Sequence, residues 1–218
     1  MAADTPLIIF DMDGVLVDSS PCHRLAFDNL WQRLGISGPD YDQIAGRRTI
    51  EVVREWIPRD DGALPSPATI QAGVAFKQER ALRYLRQHMT VFEDTLPVLQ
   101  AVAEAGHTVG LGTGASRTAT ELVLQRLGSA ASFDHVVTAD DVRAGKPAPD
   151  VFASIIERAS ADPAETLVIE DSAVGISAGI AAGARVASVR SGQQLDHPRF
   201  VGAYADLAAL RRSGALRA

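Results

Sequence analysis

The sequence predicts an α/β protein: a doubly wound, Rossmann-like parallel sheet with an inserted all-helical domain. Three observations predict it. Short, continuous apolar runs recur along the chain between turn residues, which is how strands buried on both faces read. Segments of helical periodicity alternate with these runs, as right-handed crossovers between parallel strands require. Residues 17–89 break the rhythm, carrying helical periodicity without a convincing strand.

Taken in order, Leu7–Phe10 is the first strand, flanked by Pro6 and Asp11. Pro21–Leu34 predicts a helix with Leu25, Leu30, Trp31 and Leu34 facing inward. Thr49–Ile57 predicts a second helix and Pro67–His88 a long third. Asp60–Pro67, with Gly62, Pro65 and Pro67, marks the loop between them. Further strands are expected at His107–Leu111, His135–Thr138, Thr166–Ile169 and Arg185–Val189. Between them Leu96, Leu99 and Val102 share one helical face. Leu122, Val123 and Leu127 share another, and Val151, Phe152, Ile155 and Ile156 a third. Gly106 and Gly128 stand where helix C-caps belong. The organisation expected is a core of residues 1–16 and 90–218, a helical insertion of residues 17–89, and an alanine-rich tail.

Composition narrows the function. Across 218 residues, 46% are hydrophobic and 22% charged, which excludes general disorder. Lys plus Arg total 21 against 27 Asp plus Glu, a net charge of −6. A surface of that sign argues against nucleic acid or an anionic membrane as partner. Cys22 is the only cysteine, so no intrachain disulfide forms, and a thiolate zinc site is not expected. His23, His88, His107, His135 and His197 form no pair at metal-ligand spacing. No apolar run approaches the roughly 18 residues of a membrane helix. The N-terminus lacks the basic start and long apolar stretch of a secretory signal. A cytoplasmic protein is expected, as a monomer or at most a dimer.

Four segments at strand ends carry the chemistry. Asp11-Met12-Asp13-Gly14 follows the first strand, where ligands sit in open α/β sheets. Two carboxylates two residues apart can bind a hard cation and divide nucleophilic and proton-transfer roles between them. Gly112-Thr113-Gly114-Ala115-Ser116 precedes a helix, whose N-terminal amides and dipole suit a phosphate. Gly145-Lys146-Pro147 aims one lysine from a proline-bounded loop, and Glu170-Asp171-Ser172 brings a further acidic pair. Acids gathered in one place are costly unless a cation neutralises them.

DMDGVLVDS, GTGAS, GKPAPDVF and IEDSAVGISAGIAAGA, in this order and spacing, resemble the four motifs of the haloacid dehalogenase superfamily. The resemblance is greatest to its small phosphatases and β-phosphoglucomutases, which carry a helical cap after the first strand, and it spans Leu7 to Val189. It implies Asp11 as the nucleophile that forms an aspartyl-phosphate, and Asp13 as the general acid/base whose backbone carbonyl also ligates Mg²⁺. It implies Thr113 and Lys146 as holders of the transferring phosphoryl. Asp171 is implied as a direct magnesium ligand, and Glu170 as a direct or water-mediated one. Asp13 argues against dehalogenation itself, because that branch lacks the second aspartate.

Two departures stand out. Val91-Phe92-Glu93-Asp94-Thr95 lacks the Pro-Gly common in relatives where the chain returns from cap to core, and Gly114-Ala115 replaces a more polar pair. Within the cap, His23, Arg47 and Lys77 are candidate substrate contacts, with Gly114 beneath them in the core. Arg48 is a further candidate, and each of the cap residues also has an ordinary reading as a surface or packing residue. Cys22, Trp31 and Trp56 read as buried packing. The function expected is a Mg²⁺-dependent phosphatase acting on a small phosphorylated metabolite, a sugar or polyol phosphate. The alternatives are a β-phosphoglucomutase-like phosphomutase and, in another class, a non-catalytic binding protein on the same fold.

Overall fold

A computed structural model describes residues 6–58 and 65–217. The sheet begins with β1 (Leu7–Phe10), followed by β2 (Val17–Asp18) and the helices α1 (Ser20–Leu34), α2 (Tyr41–Ile44), α3 (Thr49–Trp56) and α4 (Pro67–His88). β3 (Thr90–Val91) leads to α5 (Thr95–Glu104), β4 (Thr108–Gly112), α6 (Arg117–Leu127), β5 (His135–Val137) and α7 (Asp150–Ala159). β6 (Leu167–Glu170), α8 (Ala173–Ala181), β7 (Arg185–Val189), β8 (Phe200–Tyr204) and α9 (Leu207–Arg212) complete the chain. Of the loop expected at 60–67, residues 60–64 lie outside the described residues. Pro65 and Ser66 lead straight into α4, with Ser66 Oγ accepting from the Thr69 amide.

The fold class is the one the sequence predicts. Six parallel strands lie in the order β5-β4-β1-β6-β7-β8. The unbroken apolar run of β1 has a direct cause. Ile8 and Phe10 pack with Val98, Leu99 and Val123 of α5 and α6, while Leu7 and Ile9 pack with Phe152, Ile155 and Ile176 of α7 and α8. Successive side chains face opposite sides of a sheet, so a strand covered on both faces is apolar at every position.

The expected strands lie within a residue of their observed bounds, but several pieces escape the pattern, α9 in the tail among them. β2 and β3 pair as a two-residue antiparallel ladder, Val17 with Val91 and Asp18 with Thr90, too short for any periodicity. β8 lies in the tail read as merely alanine-rich, and each of its five residues is only half-buried. Such an edge strand has no continuous apolar run to announce it. α2 spans four residues and likewise has no repeat to read.

Helices α1, α3 and α4 gather round their own cluster of Phe27, Leu30, Trp31, Ile44, Val52, Val53, Ile57, Ile70 and Val74. Phe27 and Trp31 stack with centroids 5.5 Å apart. The inward face expected for α1 needs one correction: Leu25 is 44% exposed. At 100° per residue Leu25 stands about 140° round the helix from Leu30. His23, Ala26, Phe27, Leu30 and Trp31 make the buried face. Cys22 is buried and its thiol free.

The return from these helices to the sheet is secured without Pro-Gly. The Arg190 guanidinium pairs with Asp94 and lies 3.8 Å over the Phe92 ring, and Thr95 Oγ1 donates to Leu16 O at 2.7 Å. The C-terminal ends of β1, β4 and β6 lie side by side, which gathers the motif loops at one edge of the sheet. No helix among the described residues is long and apolar enough to cross a membrane.

Candidate active site

Asp11 leaves the end of β1 with its amide donating to Ile169 O at 2.9 Å, which fixes the residue against β6. Its carboxylate accepts from Lys146 Nζ at 2.6 Å, and the same ammonium donates to Glu170 Oε1 at 2.6 Å. Lys146 is fully buried, 4.8 Å over the Phe152 ring. Burial disfavours its charge, but Asp11 and Glu170 outweigh burial and hold its pKa above the usual lysine range.

Glu170 is itself immobilised. Its other oxygen, Oε2, accepts from the amides of Asp171 and Ser172 at 2.8 Å each and from Ser172 Oγ at 3.0 Å. Asp11, Glu170 and Asp171 offer ligand atoms within 4.8 Å of one another. Gly14, at φ +82°, permits this crowding, since a Cβ there would fall 1.9 Å from Asp171 Oδ2. Three acids face one ammonium. Burial pushes the Asp11 carboxyl up to about 8, with Glu170 and Asp13 adding to the effect and Lys146 opposing it. Asp171 rises for the same reasons, burial first and its acidic neighbours next. Oxygen donors burdened with unneutralised negative charge suit a hard divalent cation.

Asp13 lives in a different environment. Its Oδ1 accepts from Ser19 Oγ at 2.5 Å and lies 3.5 Å from His23 Nε2. Burial would raise this carboxyl, but His23, Ser19 and Lys77 together hold it below the usual carboxylate range. Lys77 Nζ stands 3.0 Å from His23 Nδ1 and 3.4 Å from Thr49 Oγ1, over the Phe27 ring. Burial lowers the Lys77 pKa to about 8, with Asp13 partly opposing. With Lys77 charged, His23 accepts at Nδ1 and carries its ring proton on Nε2, toward Asp13. Asp11 and Asp13, two residues apart, are therefore driven in opposite directions by their surroundings.

Asp11 and Asp13 form the floor of a pocket of about 60 Å³. Gly114, Ala115 and Ser116 line it from the sheet side, and His23, Tyr41, Arg47, Thr49, Lys77 and Gln78 from the helical insertion. Thr113 is buried at the end of β4, its amide donating to Val137 O at 3.0 Å and its hydroxyl accepting from the Ala115 amide at 3.0 Å. Ser116 caps α6 through the Ala119 amide. Arg47 lines the pocket, yet its guanidinium pairs with Glu55 at 2.7 Å. Arg48 turns away to the Arg143 carbonyl at 2.8 Å. Tyr41, Thr49 and Gln78 carry no motif, so only the packing of the insertion on the core reveals them. Ser19 belongs to the first motif, but its bond to Asp13 depends on a turn that spacing alone does not define.

The model of the haloacid dehalogenase-like hydrolase family matches residues 5–183. The chain belongs to that family. The fructose-1-phosphate phosphatase YqaB of Escherichia coli (strain K12) is 32% identical over 190 residues, covering 84% of this chain and 95% of that one. Hexitol phosphatase B of the same strain is 30% identical over 212 residues, covering 93% and 91%. The crystal structure of a hydrolase from Pseudomonas syringae superposes with a TM-score of 0.81 at 20% identity, over 95% of this chain and 96% of that one. This last likeness shows the shared fold alone.

Proposed function

We propose that this haloacid dehalogenase-like hydrolase is a phosphatase of a small sugar or polyol monophosphate, working through an aspartyl-phosphate on Asp11 with Mg²⁺ as its cation. One observation carries the reading: Asp11, held by Lys146 at 2.6 Å, shares a pocket floor with a second carboxylate that has separate partners. Without a cation Asp11 is held protonated and Asp13 ionised; a divalent cation at Asp11 and Asp171 would ionise the nucleophile, leaving the separately partnered Asp13 to carry the proton. The relatives named for fructose 1-phosphate and hexitol phosphates support the substrate class.

In the first step an Asp11 oxygen attacks phosphorus while the bond to the sugar oxygen breaks, and Asp13 gives its proton to that oxygen. Asp13 is charged in the free enzyme. A dianionic phosphate brought beside it raises its pKa and lets it arrive protonated. In the second step Asp13 takes a proton from water, whose oxygen attacks phosphorus. The bond to Asp11 breaks, inorganic phosphate leaves, and Asp13 returns to solvent the proton it gained on substrate binding, which restores both carboxylates. Lys146 offsets the negative charge of nucleophile and phosphoryl, and the Thr113 hydroxyl and the Gly114–Ser116 loop orient the phosphoryl oxygens. Asp11, Asp171 and the Asp13 carbonyl would hold Mg²⁺, which supplies charge neutralisation at the phosphoryl group. Both Glu170 oxygens are engaged, so it would join that shell through water.

The insertion, as the cap, supplies selectivity: Tyr41, Thr49 and Gln78 offer partners for sugar hydroxyls. The mutase alternative must retain a bisphosphate and so needs a cation for a second phosphate. Arg47 and Lys77 are the cations lining the pocket among the described residues, and each is already engaged, by Glu55 and His23. That favours hydrolysis. A non-catalytic protein would have no need of the buried Lys146 between Asp11 and Glu170. The same reading places the protein in the cytoplasm, as a monomer or at most a dimer, with a metabolite as its partner; a net charge of −6 suits neither nucleic acid nor an anionic membrane.

The test is phosphate release from a panel of phosphorylated metabolites, with Mg²⁺ and with chelator, beside an assay for glucose 1-phosphate isomerisation. Hexose and hexitol monophosphates should lead the panel. Isomerisation outrunning hydrolysis, or a phosphoprotein as best substrate, would overturn the reading.

A further inference from the structure

We infer that Glu51, in the first turn of α3, and Arg48, just before that helix, position Lys146 from across the pocket by clamping the segment that carries it. Glu51 Oε1 accepts from the Gly145 amide at 2.9 Å, and Arg48 Nη1 donates to the Arg143 carbonyl at 2.8 Å. These are main-chain groups just before Lys146, and their partners belong to the helical insertion more than ninety residues earlier in the chain. The neighbouring amides are satisfied within the loop, Ala144 by Asp150 at 3.1 Å and Ala148 by the Gly145 carbonyl at 2.9 Å. A backbone group not paired at home must find a partner elsewhere, and here the insertion supplies it.

Gly145 adds a second, independent observation. It is not among the glycines at positive φ, so its own backbone conformation does not call for glycine. A Cβ at this position would lie 2.4 Å from Arg48 Cγ, 2.5 Å from Arg48 Cδ and 2.9 Å from Glu51 Oε1. The glycine before the lysine is therefore there for the approach of the insertion. The insertion also seats close by at Gly46, whose carbonyl would stand 2.9 Å from a Cβ on Gly114.

Glu51 and Arg48 are partly exposed and stand 3.9 Å apart, which keeps water within reach of both. With these two bonds in place Lys146 sits between Asp11 and Glu170, and without them its backbone would lose both ties to the insertion. Glu51 and Arg48 are positioning residues, since they act on the reacting atoms only through Lys146.

The inference rests on the proposed role of Lys146 in phosphoryl transfer, so its test has one arm free of activity. Hydrogen exchange at the Gly145 amide and steady-state kinetics are measured on the full chain as wild type, Glu51→Ala, Glu51→Gln and Arg48→Ala. In Glu51→Ala the Gly145 amide should exchange at least about tenfold faster. Its kcat should fall roughly tenfold to a hundredfold for both the best sugar phosphate and p-nitrophenyl phosphate, as expected when a catalytic group is misplaced, with KM little changed. Glu51→Gln keeps an acceptor oxygen for Gly145 and should restore protection and most of kcat, whereas Arg48→Ala should fall between. Unchanged exchange in Glu51→Ala overturns the clamp. So does a loss confined to KM, or an equal loss in Glu51→Gln accompanied by a lowered Tm. If the wild type releases phosphate from no monoester, the proposed function fails, and the exchange arm alone decides the clamp.

Discussion

Lys146 and Glu170 meet at 2.6 Å with both side chains buried, and the same ammonium holds Asp11 at 2.6 Å. A buried cation serving two carboxylates contributes to the fold as well as to the chemistry. Lys146→Ala leaves both acids uncompensated, and breaking a buried pair in this way costs about 3–5 kcal/mol. The expected outcome is loss of turnover together with a clearly lowered Tm. Part of that Tm should return on adding Mg²⁺, which relieves the same charge. A variant as stable as wild type by thermal unfolding would show that the pair is not an essential counter-charge.

Asp11→Asn should behave in the opposite way. It removes one member of a crowded acidic cluster while keeping the shape, so turnover should vanish with Tm equal to or above that of the metal-free wild type. Asp13→Asn should retain some activity, reduced by roughly 10² to 10⁴ as for loss of a general acid/base. That loss should shrink for p-nitrophenyl phosphate, whose leaving group needs no proton. Equal losses across leaving groups would remove Asp13 from that role.

Lys77 gives the pH dependence. Its folded pKa of about 8 lies below the ordinary lysine value. Between about 8 and 10.5 the unfolded chain binds the extra proton, so this group makes the folded state more stable as pH rises through that window. Activity runs the other way. Above about 8 the Lys77 charge that holds His23 and supports Asp13 is lost, and kcat/KM should fall. Lys77→Met should flatten that alkaline limb and the stability rise alike. A limb unchanged in the variant assigns it to another group.

The selectivity proposed for the cap is tested at the Arg47–Glu55 pair. Arg47→Ala should lower kcat/KM for the best sugar phosphate much more than for p-nitrophenyl phosphate, which has few groups to grip. Glu55→Ala frees the guanidinium and should improve sugar bisphosphates relative to monophosphates. If the ratio of bisphosphate to monophosphate turnover does not move, the Arg47–Glu55 pair at 2.7 Å has no part in choosing the substrate.

The amino-acid sequence by itself determined the architecture and the residues at the strand ends, because both are local properties. A strand covered on two faces must be apolar at every position, which made Leu7–Phe10 and Leu167–Glu170 legible within a residue. Asp11, Asp13 and Asp171 follow such a run within three residues and Lys146 follows its strand by nine, so the order of motifs placed them. Tertiary structure decided the rest, wherever one residue's partner lies far along the chain. Nothing near Glu51 announces that it meets Gly145, 94 residues on, or near Arg190 that it pairs with Asp94. Leu25 reads as inward because a leucine in a helix suggests burial, but the buried face runs through His23 and Phe27 instead. β8 and the β2–β3 ladder escaped because a half-buried edge and a two-residue pairing leave no repeat in the sequence. Gly145 shows the division within one residue: its place before Lys146 is read from the motif, but its lack of a side chain is explained only by the arginine stem packed against it.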